Sequence, residues 1–215
     1  RLYLNPHSRQ VQREIADAYQ LHRTILRAFD TFSPEEPERV LFRLEVDSKS
    51  GVPVILVQSQ QLPNWSWLQA PEVNYLLAAV PLNPEVKVFQ FEPDIDEVFA
   101  FRLRANPTIK KSAADKEKEN GKRIGIMKEE EQISWIKRKL EAAGCDLLKV
   151  RISGQTKVSG WQKTSDKPRR LVYHAVQFDG YLKVNNPANL KTALLNGIGP
   201  AKGFGFGLLS LARAD

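Results

Sequence analysis

Two periods of hydrophobic and polar residues alternate along the first half of the chain. Over residues 9–32, apolar side chains recur every three or four positions, among them Val11, Ile15, Leu21 and Ile25, and this period predicts one amphipathic helix. Shorter apolar runs between turn residues predict strands over residues 2–4, 40–44, 52–58 and 86–91, with a helical piece near Leu76. The predicted order is therefore β-α-β-β-α-β.

The same order of elements recurs in the second half. Residues 98–105 alternate, with Phe99, Phe101 and Leu103 on one face and Arg102 and Arg104 on the other. Helices are predicted over residues 129–143 and 187–195, strands over 147–153, 171–184 and 204–212, and a short extra strand over 123–127. The simplest fold class for this repetition is α+β, with two tandem ferredoxin-like domains at residues 1–92 and 97–215.

The composition of the chain indicates in which cellular compartment the protein is expected. The chain of 215 residues is 42% hydrophobic, which is enough for a packed core. No apolar run reaches the roughly 18 residues that a membrane span needs, and no signal peptide is visible. The single cysteine, Cys145, excludes an internal disulfide. We therefore expect a cytoplasmic protein with no membrane partner.

Positive charge is concentrated in two stretches of the second half. The formal net charge is +7; residues 104–128 hold eight basic and three acidic residues, and residues 149–170 hold seven and one. Such a balance favours an acidic partner, most commonly nucleic acid. The candidate RNA contacts in and beside these stretches are Arg102, Arg104, Lys110, Lys111, Lys157, Arg169 and Arg170.

Tyr19 and His22 are three residues apart on the predicted first helix, so they share one face of it. An imidazole can give or take a proton near neutral pH, and a phenol beside it can orient a hydroxyl or a phosphate oxygen. Arg23 and Arg27, one turn apart on a neighbouring face, could hold a phosphate group. Because a Tyr-x-x-His pair is more often an ordinary surface or core pair, these residues alone leave catalysis open.

Metal chemistry has little support in the sequence. Three scattered histidines and one cysteine give no metal-ligand spacing. The acidic residues at 129–131 fit the first turn of a helix, where they favour the helix dipole. If the protein is an enzyme, we expect acid–base chemistry with no metal and no small-molecule cofactor.

The segment "GIGPAKGFGFGLL" begins at Gly197, and its residues 197–207, here called the glycine run, hold five of the chain's twelve glycines. A dinucleotide-binding loop needs a strand before the glycines and a helix after them, whereas here a predicted helix precedes and a strand follows. Two interpretations stay open. The run either packs two elements closely or lets an RNA backbone approach, with Gly199, Gly203 and Gly205 at the contact and Lys202 adding charge.

Three stretches carry a resemblance to a known family. They are "YLNP" with "SR" and "ADAYQLHRTI" near the start, "FRLRANP" at residues 101–107 with "GKR" at Gly121, and the glycine run. Together they resemble the CRISPR repeat-processing endoribonucleases of the CasE type, the RNase subunit of the type I-E Cascade complex. The glycine motif alone is shared with the wider class of RAMP proteins, whereas the three stretches in this order are far more specific and cover essentially the whole chain.

The resemblance implies two ferredoxin-like domains and one metal-independent cut per repeat of precursor CRISPR RNA, at the 3′ base of the repeat hairpin. The 2′-OH of the substrate would attack the adjacent phosphate and leave a 2′,3′-cyclic phosphate and a 5′-OH. The catalytic tyrosine and histidine of the family match Tyr19 and His22. The implied partners are the repeat RNA hairpin and other Cascade subunits. The basic connection over residues 157–170 is the variable part of the family, so its RNA contacts do not transfer residue by residue.

Two other hypotheses remain at this point. The chain could be a non-catalytic module of the same fold that binds an RNA hairpin, with Tyr19 and His22 as structural residues. It could also be an unrelated basic α/β protein whose glycine run is core packing. Cleavage of repeat RNA in EDTA would distinguish the metal-independent endoribonuclease from both of these alternatives.

Overall fold

The first unit of the computed structural model is a three-stranded sheet with two helices packed against it. The structure describes residues 1–29, 39–70, 72–110, 123–162 and 167–214. The elements of this unit are β1 (Leu2–Tyr3), α1 (Arg9–Ala16), α2 (Ala18–Leu26), β2 (Leu41–Val46) and β3 (Pro53–Gln58), followed by a 3₁₀ turn at Ser66–Leu68. The strands are antiparallel in the order β1-β3-β2. Apolar side chains of both helices and the sheet form one core.

The prediction of a single helix over residues 9–32 is wrong, because Asp17 separates α1 from α2. The Asp17 backbone is extended, with φ −126° and ψ 91°, and its carboxylate accepts hydrogen bonds from the N–H groups of Tyr19 and Gln20. Aspartate binds nearby backbone N–H groups and so favours helix starts over helix interiors. The apolar period hides this break, since Val11 of α1 and Leu21 of α2 belong to the same core. Residues 30–38 lie outside the described residues.

The second helix and fourth strand predicted for the first half do not occur in the described residues 72–97. Instead, Leu76 forms an isolated bridge with Leu4, and the N–H of Leu77 donates to the carbonyl of Tyr3 at 2.9 Å. This segment occupies the free edge of β1. Residues 86–91 form no strand, and Val88 and Phe89 are 81% and 78% exposed despite their strand-like alternation.

The second unit contains the complete ferredoxin-like order. Its main elements are β4 (Val98–Ala105), α3 (Glu129–Ala142), β7 (Cys145–Gln162), β8 (Arg169–Val184), α4 (Pro187–Asn196) and β9 (Leu209–Arg213). The strands are antiparallel in the order β7-β8-β4-β9. The short strands β5 (Thr108–Lys110) and β6 (Arg123–Gly125) form a separate hairpin. No helix in the described ranges is long and apolar enough to cross a membrane.

The strand β7 is much longer than the predicted residues 147–153, with 18 residues, whereas β8 begins only two residues before the predicted start at 171. Their hairpin continues through most of the stretch that was predicted as a basic connection, and residues 163–166 within it are outside the described residues. Residues 153–157 and 169–170 of this hairpin are exposed, so no apolar alternation reveals that part of the strands. The last strand begins at Leu209 and not at residue 204, because Gly205 and Gly207 have φ values of 79° and 90°, which an extended strand does not accommodate.

Arg43 on β2 joins the two units. Its side chain is 1% exposed, and its guanidinium donates to the carbonyl of Leu208 at 3.0 Å, to Ser210 Oγ at 2.9 Å and to Glu45 Oε1 at 2.8 Å. Arg43 also donates to the carbonyl of Arg102 at 3.3 Å. One buried cation therefore satisfies groups of β2, β4 and β9 at once. The boundaries at residues 92 and 97 stay a prediction.

Candidate active site

Asp17 fixes the start of α2 against the second unit. Besides capping α2, its Oδ1 accepts a hydrogen bond from the N–H of Trp161 on β7 at 3.2 Å. The neighbouring Gly160 lies so close that a Cβ there would be 2.8 Å from the Tyr19 nitrogen. A side chain at position 160 would push the two elements apart. The helix that carries Tyr19 and His22 is thus held in a fixed position relative to the β7–β8 hairpin.

His22 is half-buried between the two units. Its ring stacks on Phe42 of β2, with ring centroids 6.0 Å apart and planes at 16°. Burial lowers the pKa of His22 below its ordinary value, so the imidazole is neutral at neutral pH. Its Nδ1 is buried and has no hydrogen-bond partner among the described residues. On the other side of the ring, a Cβ at Gly203 would lie 3.3 Å from Nε2.

Three aromatic rings continue the site from α2 to β8. Phe204 has its ring centroid 6.4 Å from that of Tyr19 and 4.6 Å from that of Tyr173. Phe204 belongs to a 3₁₀ turn at Lys202–Phe204 within the glycine run. The run therefore lies beside α2, and the two phenols approach it from opposite units.

The three glycines proposed as RNA contacts face different neighbours. A Cβ at Gly199 would lie 3.0 Å from the ring of Trp135, and one at Gly205 would lie 3.1 Å from the ring of Phe42. Both residues have φ in the left-handed region, at 86° and 79°. Gly203 faces His22 instead. Close packing thus accounts for Gly199 and Gly205, whereas Gly203 borders the ring of His22, and contact of the run with RNA stays a prediction.

The candidate cations of this region lie on α2, at its C-cap and in the turn of the glycine run. Arg23 and Arg27 are exposed on α2, and the Arg27 guanidinium lies 3.9 Å from the centroid of the Trp67 ring. Burial and the nearby charges of Arg39 and Lys139 lower the pKa of Lys202. Positive charge therefore converges on the turn that carries Gly203.

Arg102 and Arg104 are engaged by protein groups at the junction of the units. Arg102 pairs with Asp179 at 2.6 Å and with Glu45 at 3.6 Å. Arg104 donates to the carbonyl of Leu44 at 3.2 Å and to Thr156 Oγ1 at 3.3 Å, and burial lowers its pKa. Their proposed contact with RNA stays a prediction.

The remaining candidate cations lie on the two hairpins. Lys110 ends β5, and Lys157, Arg169 and Arg170 lie on the β7–β8 hairpin, all exposed. Arg170 is opposite Trp161, close to the contact of the hairpin with α2. Lys111 lies outside the described residues.

Four residues that shape the site were not found from the sequence. Two of them carry a recognisable signal: an aspartate inside a helical period suggests a cap, as at Asp17, and a glycine inside a strand suggests close backbone approach, as at Gly160. Phe42 and Tyr173 carry none, because an aromatic residue in a strand is most simply read as core. The described residues contain no group of three or more His, Cys, Asp or Glu side chains that could hold a metal ion.

A family model described as CRISPR associated protein matches residues 1–213. The chain belongs to this family. It is 34% identical to the CRISPR-associated endoribonuclease Cse3 of Thermus thermophilus over 99% of this chain and 98% of that protein. It is 31% identical to the CRISPR system Cascade subunit CasE of Escherichia coli, over 91% of this chain and 92% of that protein.

A solved structure of the CRISPR endoribonuclease Cse3 bound to 19 nt RNA matches with a TM-score of 0.84 at 34% identity, covering 99% of this chain and 98% of that chain. These similarities confirm the predicted membership of the CRISPR-associated family and the predicted fold class of two tandem ferredoxin-like units. The chain is an endoribonuclease of this CRISPR-associated family.

Proposed function

We propose that this protein cuts precursor CRISPR RNA once in each repeat, at the 3′ base of the repeat hairpin. The observation that carries the proposal is the setting of His22, a half-buried ring of lowered pKa whose Nε2 faces Gly203 and which lies three residues from Tyr19 on α2. The full-length similarity to Cse3 and CasE supports the choice of repeat RNA as substrate.

His22 is the main acid–base group in this proposal. The 2′-oxygen forms a bond to the adjacent phosphorus while the bond from phosphorus to the 5′-oxygen breaks. The neutral imidazole takes the proton of the 2′-OH, and its conjugate acid supplies a proton to the leaving 5′-oxygen. Each such transfer is typically worth about 10²–10⁴-fold in rate. The products are a 2′,3′-cyclic phosphate and a 5′-OH, and no step calls for a metal ion.

Tyr19 and the nearby cations complete the chemistry. The Tyr19 phenol, on the same face of α2 as His22, orients the reacting oxygens. Lys202, in the turn beside His22, and Arg23 on α2 offset the charge that develops on the phosphate. Because burial and neighbouring cations already disfavour the charged form of Lys202, an approaching phosphate group would relieve that repulsion.

The RNA stem lies along the β7–β8 hairpin in this proposal. Its exposed Lys157, Arg169 and Arg170 suit the backbone contacts by which an A-form stem is recognised. Other Cascade subunits are the proposed protein partners, supported by the name of the relative CasE. We place the reaction in the cytoplasm, where a chain with one cysteine needs no oxidising compartment.

The test is single-turnover cleavage of labelled repeat RNA in EDTA. Wild-type protein should cut at one position, and His22→Ala should slow the cut by at least about 10²-fold while RNA hairpin affinity stays nearly unchanged. His7→Ala, which removes an exposed histidine in the turn before α1, is the matched control and should cut at the wild-type rate.

Three results would count against the proposal. Loss of wild-type cleavage in EDTA would mean that a metal takes part. Full activity of His22→Ala would remove the assigned acid–base group. Tight hairpin binding with no cleavage by the wild-type protein would instead identify a non-catalytic RNA-binding module of the same fold.

A further inference from the structure

A cleft adjoins the active site at the glycine run. It has a volume of about 510 Å³, lies between the β5–β6 hairpin and the β7–β8 hairpin, and is closed by Pro200 and Ala201. The next residues of the run form the turn that contacts His22 through Gly203. Tyr173 lines the cleft and also packs on Phe204 of that turn. A strand of RNA that crosses the turn can therefore reach the cleft and His22 together.

Asn106 is the polar group that makes this cleft a binding site. The residue lines the cleft and is only 5% exposed, yet its carboxamide has no hydrogen-bond partner in the described part of the chain. The amide atoms of Asn106 are not among the fully enclosed atoms without a partner in the described residues, so they are accessible to solvent beside the cleft. A ligand in the cleft can supply the hydrogen bonds that water makes with this amide in the free protein. Thr108 lines the same wall, and so does His174, whose Nε2 is held by Gln155 Oε1 at 2.9 Å.

The rest of the lining has the two other properties that a nucleotide needs. Val172 and Met127 present apolar surface, being 53% and 62% exposed, which suits the face of a base. Arg123 and Lys157, both exposed, line the cleft and have no carboxylate partner among the described residues, which suits a phosphate. The volume falls within the roughly 300–1,000 Å³ typical of ligand pockets.

We propose that this cleft binds one unpaired nucleotide of the RNA, next to the foot of the repeat hairpin, with the hydrogen-bonding edge of its base on Asn106. The proposal rests on the proposed function, because RNA is what brings a nucleotide to the glycine run. The nucleotide is unpaired, since a base inside a stem has its edge occupied and its faces stacked. Sequence-specific recognition of RNA mostly uses such splayed-out bases.

The test is a cycle of protein and RNA changes on the full-length protein. Repeat hairpins with their single-stranded flanks are made with one abasic site at each unpaired position in turn, and dissociation constants are measured in EDTA. At one position, loss of the base should weaken wild-type binding about tenfold, the size expected for loss of a two-bond contact. Asn106→Ala should weaken binding of the intact RNA by a similar factor and should bind that abasic RNA with no further loss.

Asn185→Ala is the matched control, because Asn185 is an exposed asparagine beyond the end of β8 and outside the cleft. It should leave every affinity unchanged. Where Asn106→Ala lowers the melting temperature, the same cycle is run with Thr108→Val, which removes a hydroxyl and keeps the shape.

The outcomes separate this inference from the proposed function. Equal wild-type affinity for all abasic RNAs, or losses from the protein and RNA changes that simply multiply, would overturn the nucleotide site while hairpin cleavage persists. Absence of hairpin cleavage by the wild-type protein would overturn the proposed function, and the binding cycle would still show whether the cleft reads a base.

Discussion

At the scale of one residue, the burial of His22 should make the stability of the protein depend on pH. Because burial lowers the pKa of His22 in the folded protein, the unfolded chain binds more protons below about pH 6.5. The free energy of unfolding should therefore rise with pH between the lowered pKa of the folded state and about 6.5. Above pH 6.5 the contribution of His22 to stability is complete and no longer changes with pH.

An NMR titration checks this directly. The ring protons of His22 should titrate below pH 6.5 in the free protein and near 6.5 in urea. The acid limb of the pH profile for cleavage at sub-saturating enzyme should have the same lowered midpoint, since that profile reports the free enzyme. A folded pKa of 6.5 or higher would show that burial is not the dominant influence on the ring.

Gly203 and Gly205 are two residues apart and should respond differently to the same substitution. In Gly203→Ala, the new Cβ would lie 3.3 Å from His22 Nε2, so we expect cleavage to fall about 10- to 100-fold through displacement of the reacting groups. The melting temperature should change little.

Gly205→Ala is the counterpart, because its φ of 79° disfavours alanine and should destabilise the fold by more than about 1 kcal/mol. Thermal unfolding and cleavage are measured on the same preparations. If Gly203→Ala lost activity only in proportion to its folded fraction, the turn would serve packing alone.

Tyr19 and His22 could be found from the sequence because the i, i+3 spacing survives any shift in helix boundaries. The stacking partner of the His22 ring could not be found from the sequence, since Phe42 is twenty residues away and contacts His22 only in the folded chain. Gly203 was recognised as part of a glycine run, yet its difference from Gly205 depends on which side chain each one faces. Sequence patterns report spacing, whereas these contacts are set by packing between the units.

At the scale of elements, the N-caps of α1 and α2 form a matched pair. Ser8 caps α1 and Asp17 caps α2, so Ser8→Ala and Asp17→Ala should each cost about 1 kcal/mol of stability. Only Asp17 also holds Trp161 of β7. Asp17→Ala should therefore slow cleavage about tenfold or more, because Tyr19 and His22 lose their fixed position, while Ser8→Ala cuts normally. Urea unfolding and single-turnover rates measure both, and equal rates in the two variants would refute the positioning role.

The long β7–β8 hairpin shows why some elements escape prediction. A strand is recognised from apolar alternation against a core, and residues 153–157 and 169–170 are exposed. The strand at residues 98–105 was found because Phe99, Phe101 and Leu103 face the core of the second unit. A strand that packs on a core alternates apolar and polar residues, whereas the exposed part of a hairpin needs no such alternation.

At the scale of the whole molecule, Arg43 should govern how the two units are held together. Arg43→Ala leaves the carbonyl of Leu208, Ser210 and Glu45 without their shared cation at a buried junction. We expect a loss of about 3–5 kcal/mol in unfolding free energy and slower cleavage, because His22 and Gly203 come from different units.

Arg213→Ala is the control for Arg43→Ala, since it removes an ion pair with Glu97 whose arginine is 84% exposed. Such pairs are worth about 0–1 kcal/mol. Urea denaturation followed by circular dichroism compares the two variants. Similar small losses in both would mean that the units are held mainly by apolar contacts.

The β7–β8 hairpin is held at two points along its length. At its base β8 pairs with β4 in the sheet, and towards its far end Gly160 and Trp161 rest on the start of α2. On the proposed function, the hairpin therefore holds the RNA stem at a fixed distance from His22. That distance selects which phosphodiester reaches His22, so the protein and not the sequence of the stem sets the position of the cut. Exchanging the paired bases of the stem for other pairs should leave the mapped cut in place.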